Sequence, residues 1–197
     1  MHRKGFYEMN KTDISCPPPN CLFAAELEIP SGVTGGMHSH ACTEVIWYRG
    51  GSGRLLQGEE AWAYEDGDIG IYQPGVEHAD ASETGGRQIC LGVSGGGADR
   101  LPPGVWAGDR ATLEAFGRLR AAMERRDDWR RRRLDLLGGC VVLELQRQLS
   151  GPERPEGQRE PYHVGAARRI FDTRFGEALT VSGVARDLGI HPDYLRQ

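Results

Sequence analysis

The hydrophobic rhythm of the chain changes near residue 105. Before that point apolar residues come in short runs broken by glycine, proline or aspartate: CLFAAELEI (21–29), TEVIWYRG (43–50), GRLLQG (53–58), AWAYE (61–65), DIGIYQP (68–74), EHADASE (77–83) and RQICLGVS (87–94). Runs of this length with turn residues between them predict the strands of an all-β sandwich or barrel. After Trp106 the period lengthens. Residues 110–126 and 129–149 are rich in Arg, Leu and Glu and nearly free of proline, which predicts two long helices. In the second, Leu134, Leu137, Val141 and Leu145 share one helical face, and Leu136, Cys140 and Leu143 widen it. That stripe is broader than one small barrel covers, which predicts a dimer interface. The stretch SGPERPEGQREP (150–161) reads as a polar linker, and a second helical block follows from about Tyr162.

The expected fold class is therefore mixed, β then α. A β-barrel with an N-terminal arm occupies 1–105, and a helical linker or dimerisation segment occupies 106–150. A flexible linker spans 151–161, and the start of a helix-turn-helix domain spans 162–197.

Composition narrows the class. The chain has 197 residues, 39% hydrophobic and 26% charged, as in globular proteins and unlike disordered ones. Glycine, at 28 residues, is about twice its usual share and fits many tight turns. No apolar run approaches the ~20 residues of a membrane span, so no membrane partner is expected. The opening MHRKGFYEMN lacks the apolar segment of a secretory signal. The five cysteines are odd in number and form no C-x-x-C, which predicts reduced thiols in a cytoplasmic setting. The net charge of −4 hides an asymmetry: residues 1–105 carry 7 basic against 14 acidic residues, and residues 106–197 carry 17 against 14. Any nucleic-acid contact is expected in the back half. The cluster RRDDWRRRR (125–133) alternates signs and reads as a solvated face rather than a phosphate site.

The strongest chemical signal is the pattern Gly32, His38, His40, Glu44, Gly51, followed by Gly67-Asp68 and by Pro74-Gly75-Val76-Glu77-His78. Residues two apart on a strand face the same way, so His38, His40 and Glu44 are expected to point into one barrel interior, with His78 closing the set from a neighbouring strand. Imidazoles and a carboxylate suit a first-row divalent ion; zinc, nickel, iron and manganese all fit. Cys42 shares that parity and reads as a small buried hydrophobe. Tyr48, Trp62, Tyr64 and Tyr72, with Gln88 and Cys90 on the last strand, are the expected lining of a small-molecule pocket.

This constellation resembles the two cupin motifs over about residues 21–95. The first motif matches fully. In the second, Gln73 stands where a proline is usual and Ser82 where an asparagine is usual. The resemblance implies a small β-barrel with a central cavity.

Residues 180–197, TVSGVARDLGIHPDYLRQ, carry Ala185-x3-Gly189-x5-Leu195, the spacing of a helix-turn-helix. Gly189 would end the first helix at positive φ, His191 would cap the next and Pro192 would open it. With Tyr162, Ile170-Phe171 and Glu177-Ala178-Leu179-Thr180, this block resembles the start of the DNA-binding domain of AraC/XylS-type transcription regulators. The resemblance implies a ligand-sensing, dimerising barrel joined to a DNA-binding pair of helix-turn-helix units. His191, Arg196 and Gln197 are then the expected DNA contacts, and the chain stops early in the first recognition helix. The reading that follows is an effector-responsive regulator, not an enzyme, with promoter DNA, a small-molecule effector and a second copy as partners. Its alternatives are a metal-dependent cupin enzyme, such as a dioxygenase or isomerase, and a metal-ion sensor.

Overall fold

The structure, a computed structural model, describes residues 18–150, 162–174 and 178–195. The N-terminal arm, the linker 151–161, Arg196 and Gln197 lie outside the described residues. Eight strands come first: β1 (Asn20–Ile29), β2 (Thr43–Arg49), β3 (Gly53–Gln57), β4 (Glu60–Tyr64), β5 (Asp68–Tyr72), β6 (His78–Ser82), β7 (Gly86–Ser94) and β8 (Gly104–Ala107). Four helices follow: α1 (Arg110–Met123), α2 (Arg130–Leu149), α3 (Tyr162–Arg174) and α4 (Val181–Leu188). Strand β8 is not foreshadowed by the sequence pattern. Its four residues, GVWA, are too few to show an alternation.

The strands form two antiparallel sheets. One has the order β1-β7-β2-β5-β8 and the other β4-β3-β6. Side chains alternate across the large sheet, and both faces are covered along β2, β5 and β7. Val45, Ile69, Ile71, Ile89, Leu91, Val93 and Trp106 face α1 and α2, while Ile46, Tyr48, Tyr72 and Cys90 face the small sheet. Double burial explains why VIWY and DIGIY read as continuous apolar runs rather than alternating ones.

The helical layer is pinned by polar contacts at its ends. Asp109 caps α1 by accepting the Thr112 N–H at 2.8 Å, a contact of about 1 kcal/mol. From α2, Gln148 Nε2 donates to Ala107 O and Gln146 Nε2 to Gly96 O, each at 2.7 Å. On β1, Glu26 joins Arg120 of α1 at 2.9 Å and Arg49 of β2 at 3.3 Å. The apolar stripe of α2 divides accordingly. Leu134, Val141 and Leu145 are buried against the barrel and Leu137 is half-buried there, while Leu136 and Leu143 are 66% and 63% exposed. The face first expected to serve a dimer is thus largely core, and the residues left over are Leu136, Cys140 and Leu143. The Arg/Asp cluster that leads into the first turn of α2 is largely exposed, with Arg133 on Asp127 and Arg131 on Asp135, each at 3.2 Å.

In the C-terminal block, Thr180 Oγ1 caps α4 by accepting the Gly183 N–H at 3.0 Å, and Gly189 ends it at φ 68°. A single 3-10 turn, Pro192–Leu195, follows. In this block the described residues therefore hold α3, the capped α4 and a turn; an α-helix after Gly189 is not among them.

Candidate metal centre

The four residues His38, His40, Glu44 and His78 come together. Their ligand atoms lie within 4.8 Å of one another. They are not delivered as the sequence pattern implies. Only Glu44 lies within β2; His38 and His40 precede it, because the chain bends at Ala41 and Cys42. His38 is instead paired backbone to backbone with His78, the first residue of β6, at 2.9 and 3.1 Å. The Gly75 N–H holds His40 O at 2.8 Å and fixes the loop that follows β5 against the loop before β2.

Each imidazole is oriented by the same device. Nδ1 of His38 meets Gly36 O at 3.0 Å, Nδ1 of His40 meets Cys42 O at 2.9 Å, and Nδ1 of His78 meets Val76 O at 2.7 Å. A carbonyl accepts and never donates, so these contacts assign the proton to Nδ1 in all three rings. At His38 and His78 this leaves the Nε2 lone pair free, which is how metal-ligating histidines are prepared, while Nε2 of His40 is engaged by Glu44. Glu44 Oε2 lies 3.0 Å from His40 Nε2 and 3.4 Å from His78 Nε2. His78 is fully buried, yet its Nε2 has no hydrogen-bond partner. Burial lowers the His78 pKa, with the charges of His38 and His40 adding to that effect, which favours the neutral ring a metal needs. A His/Glu cluster of this kind suits a first-row divalent ion.

Cys42 is buried, with Sγ 3.4 Å from His40 Nδ1, on the side of the ring away from the cluster. It packs as a small hydrophobe and burial raises its thiol pKa.

The six expected pocket residues lie deeper, in the closed floor of the barrel. Tyr48, Trp62, Tyr64, Tyr72 and Cys90 pack with Ile46, Leu55 and Val105. Tyr48 and Tyr64 stack with ring centroids 3.7 Å apart, and the gap they share with Ser82 and Gln88 has no room for a water-sized sphere. Tyr72 lies against His78, ring centroids 4.2 Å apart, and supports it from below.

Sequence reasoning missed Asp80. Its carboxylate accepts the Tyr48 hydroxyl at 2.6 Å, and burial pushes its pKa up to about 6. The alternation of His78, Asp80 and Ser82 along β6 was the available signal. The two departures from the motif have local duties. Gln73 Nε2 donates to Leu101 O, and Ser82 Oγ accepts the Gly85 N–H at 3.0 Å. Of the expected DNA contacts, His191 is exposed before the final turn, with Nδ1 accepting the Asp193 N–H.

No family model and no curated protein matches this chain. Solved structures do. An RmlC-like cupin from Shewanella frigidimarina is 21% identical over 38% of this chain and 73% of its own, with a TM-score of 0.35. A conserved Streptococcus pyogenes protein of unknown function is 15% identical over 36% of this chain and 62% of its own, TM-score 0.35. Bacillus subtilis oxalate decarboxylase, with Mn(II) centres, is 16% identical over 35% of this chain and 20% of its own, TM-score 0.33. The expectation that the chain is not an enzyme is corrected here, since the structures it is similar to include an enzyme. Likenesses this partial carry no argument about its reaction. No described helix is long and apolar enough to cross a membrane.

Proposed function

We propose that this protein is a metal-dependent enzyme of the cupin kind, with a divalent ion held by His38, His40, Glu44 and His78. The observation that carries the reading is the shared orientation of three imidazoles, each anchored through Nδ1 on a backbone carbonyl and each turning Nε2 inward beside one carboxylate. Such an ion acts as a Lewis acid on a bound oxygen donor. The chain supplies the rest. Glu44 offsets part of the ion's charge, and the buried His78 with Tyr72 beneath it keeps water from the inner side. His38, exposed at the rim, leaves the outer side open to a substrate. Dioxygenase and isomerase chemistry both suit this arrangement.

Elemental analysis of the purified chain and of a His38→Ala/His40→Ala variant tests the reading. About one transition metal per parent chain, lost in the variant, is expected. Turnover of small hydroxy or keto acids by the loaded parent, absent from the variant, completes it. Metal content unchanged by the substitutions overturns it.

A second reading, a ligand-responsive transcription regulator built on the same barrel, is favoured by α4, with its Thr180 cap and its left-handed Gly189. In that reading His191, Arg196 and Gln197 meet promoter DNA. Binding of the protein to promoter fragments near 150 mM salt, with affinity falling steeply as salt rises, is its test.

A further inference from the structure

We propose that the open edge of the barrel beside the His/Glu cluster is the ligand's seat, and that the ligand is a small carboxylic acid with an apolar body. The inference rests on the metal reading above and adds the ligand class.

The register places the seat. Phe23 on β1 pairs with Gly92 on β7, and Gly92 pairs with Glu44 on β2, so Phe23 and Glu44 occupy one row of the large sheet's inner face. The Phe23 ring lies over Gly92, where a Cβ would fall 2.1 Å from it, and its centroid is 5.8 Å from that of His40. Ala25 and Leu27 continue the same face along β1. Elsewhere this inner face is sealed, with Ile46 and Tyr48 each 1% exposed, yet Phe23 and Leu27 keep 36% and 45% exposure. The opposite wall is the segment after β1. It runs along β6 through the Val33 O contact with the Ser82 N–H and the Gly35 N–H contact with Asp80 O, each 2.8 Å. Val33 is 43% exposed. Gly36, three residues on, opens on empty space, and a Cβ at Gly35 would meet only the Asp80 backbone, at 3.6 Å and beyond. An apolar slot thus leads along the sheet edge to the cluster.

Chemistry selects the occupant. Three neutral imidazoles and one carboxylate leave a divalent ion with one net positive charge, which an anionic oxygen donor neutralises. Phe23, Ala25, Leu27, Val33 and the two glycines offer no polar side chain, and Gln88, which pairs with Leu27 on this face, is only 4% exposed, so a polyhydroxylated ligand such as a sugar would leave most of its hydroxyls unpaired there. An acid with an aliphatic or aromatic body satisfies both halves.

The test uses the full chain loaded with nickel and titrated calorimetrically with acetate, butyrate, hexanoate and octanoate. Affinity is expected to rise about three- to four-fold per added methylene, the transfer value of a buried CH2. Phe23→Ser/Leu27→Ser flattens the series while nickel per chain, by elemental analysis, stays at the parent's level. Val33→Ser, on the opposite wall, reduces the slope on its own. A flat series in the parent, or an undiminished slope in both variants, overturns the proposal. Failure of the parent to retain nickel, or nickel retained by His38→Ala/His40→Ala, locates the failure in the metal reading instead and withdraws this inference with it.

Discussion

His78 Nε2 stands 3.4 Å from Glu44 Oε2, both side chains almost wholly buried, and the nitrogen makes no hydrogen bond. With Nδ1 committed to Val76 O, this nitrogen carries a lone pair that faces a carboxylate. Two electron-rich atoms held face to face repel each other, and a cation between them turns that repulsion into binding. Chelation is therefore expected to destabilise the barrel. At metal concentrations of about 100 times Kd, the bound ion adds about 2.7 kcal/mol, which corresponds to a fall in Tm of roughly 5–10 °C on its removal. Scanning calorimetry with and without EDTA checks this, and His78→Ala abolishes the difference.

The pH dependence of the metal-free chain has two opposing parts. His78 is lowered in the folded state by burial, so its contribution is present above the ordinary histidine value of about 6.5 and is lost as pH falls below it. Asp80 is raised to about 6 from 3.8, so its contribution is present below 3.8 and is lost as pH rises through about 6. Asp80→Asn isolates the second part. In EDTA, the stability of the parent relative to this variant is expected to fall by roughly 3 kcal/mol between pH 4 and pH 8. Denaturant unfolding at the two pH values measures it, and an unchanged difference refutes the burial of charge at Asp80.

Two motif glycines separate conformational strain from collision. Gly32 has φ 72° and open space at its missing Cβ, so Gly32→Ala is expected to cost about 1 kcal/mol. Gly51 has φ 78°, and a Cβ there would fall 1.6 Å from Gly85 O, so the backbone itself must move. Gly51→Ala is expected to cost more than about 3 kcal/mol. Urea midpoints of the two variants give the comparison.

Self-association is expected through α2. Leu136 and Leu143 stand exposed beside Pro18, Pro19 and Gly139 around a groove of about 570 Å³. Leu136→Glu/Leu143→Glu is expected to turn a dimer into a monomer with Tm within a few degrees of the parent, since exposed positions tolerate charge. Leu145→Glu, at a fully buried position, is expected to unfold the chain instead. Sedimentation at tens of micromolar decides, and a parent that is already monomeric refutes the interface.

The seven longer strands and the two helices that pack on them are legible in the sequence to within a few residues, because their apolar positions are numerous enough to show a period. Strand β8 is not: GVWA owes its place to pairing with β5. The four cluster residues are legible because residue type and spacing both point to them. Their orientation is not, since the partners that hold Nδ1 are main-chain carbonyls of Gly36, Cys42 and Val76, and every residue has one. The misplacement of Tyr48, Trp62, Tyr64 and Tyr72 at a pocket has the same root. Aromatic residues on inward-facing strands fill a small barrel as readily as they line one, and only the tertiary packing tells which. The role of Phe23 is not legible either, because the glycine that admits its ring lies 69 positions downstream.

The packed floor of stacked Tyr48 and Tyr64 makes the cluster a blind well. With Tyr72 packed against His78 on the inner side, a molecule that reaches the ion arrives and departs through the open edge where His38 and Phe23 stand, so entry and exit share one doorway. A product still seated there excludes the next substrate, and a chelator competes with both for the same approach. Occupancy of the mouth therefore governs how fast the ion itself exchanges, and saturating ligand slows the loss of metal to EDTA.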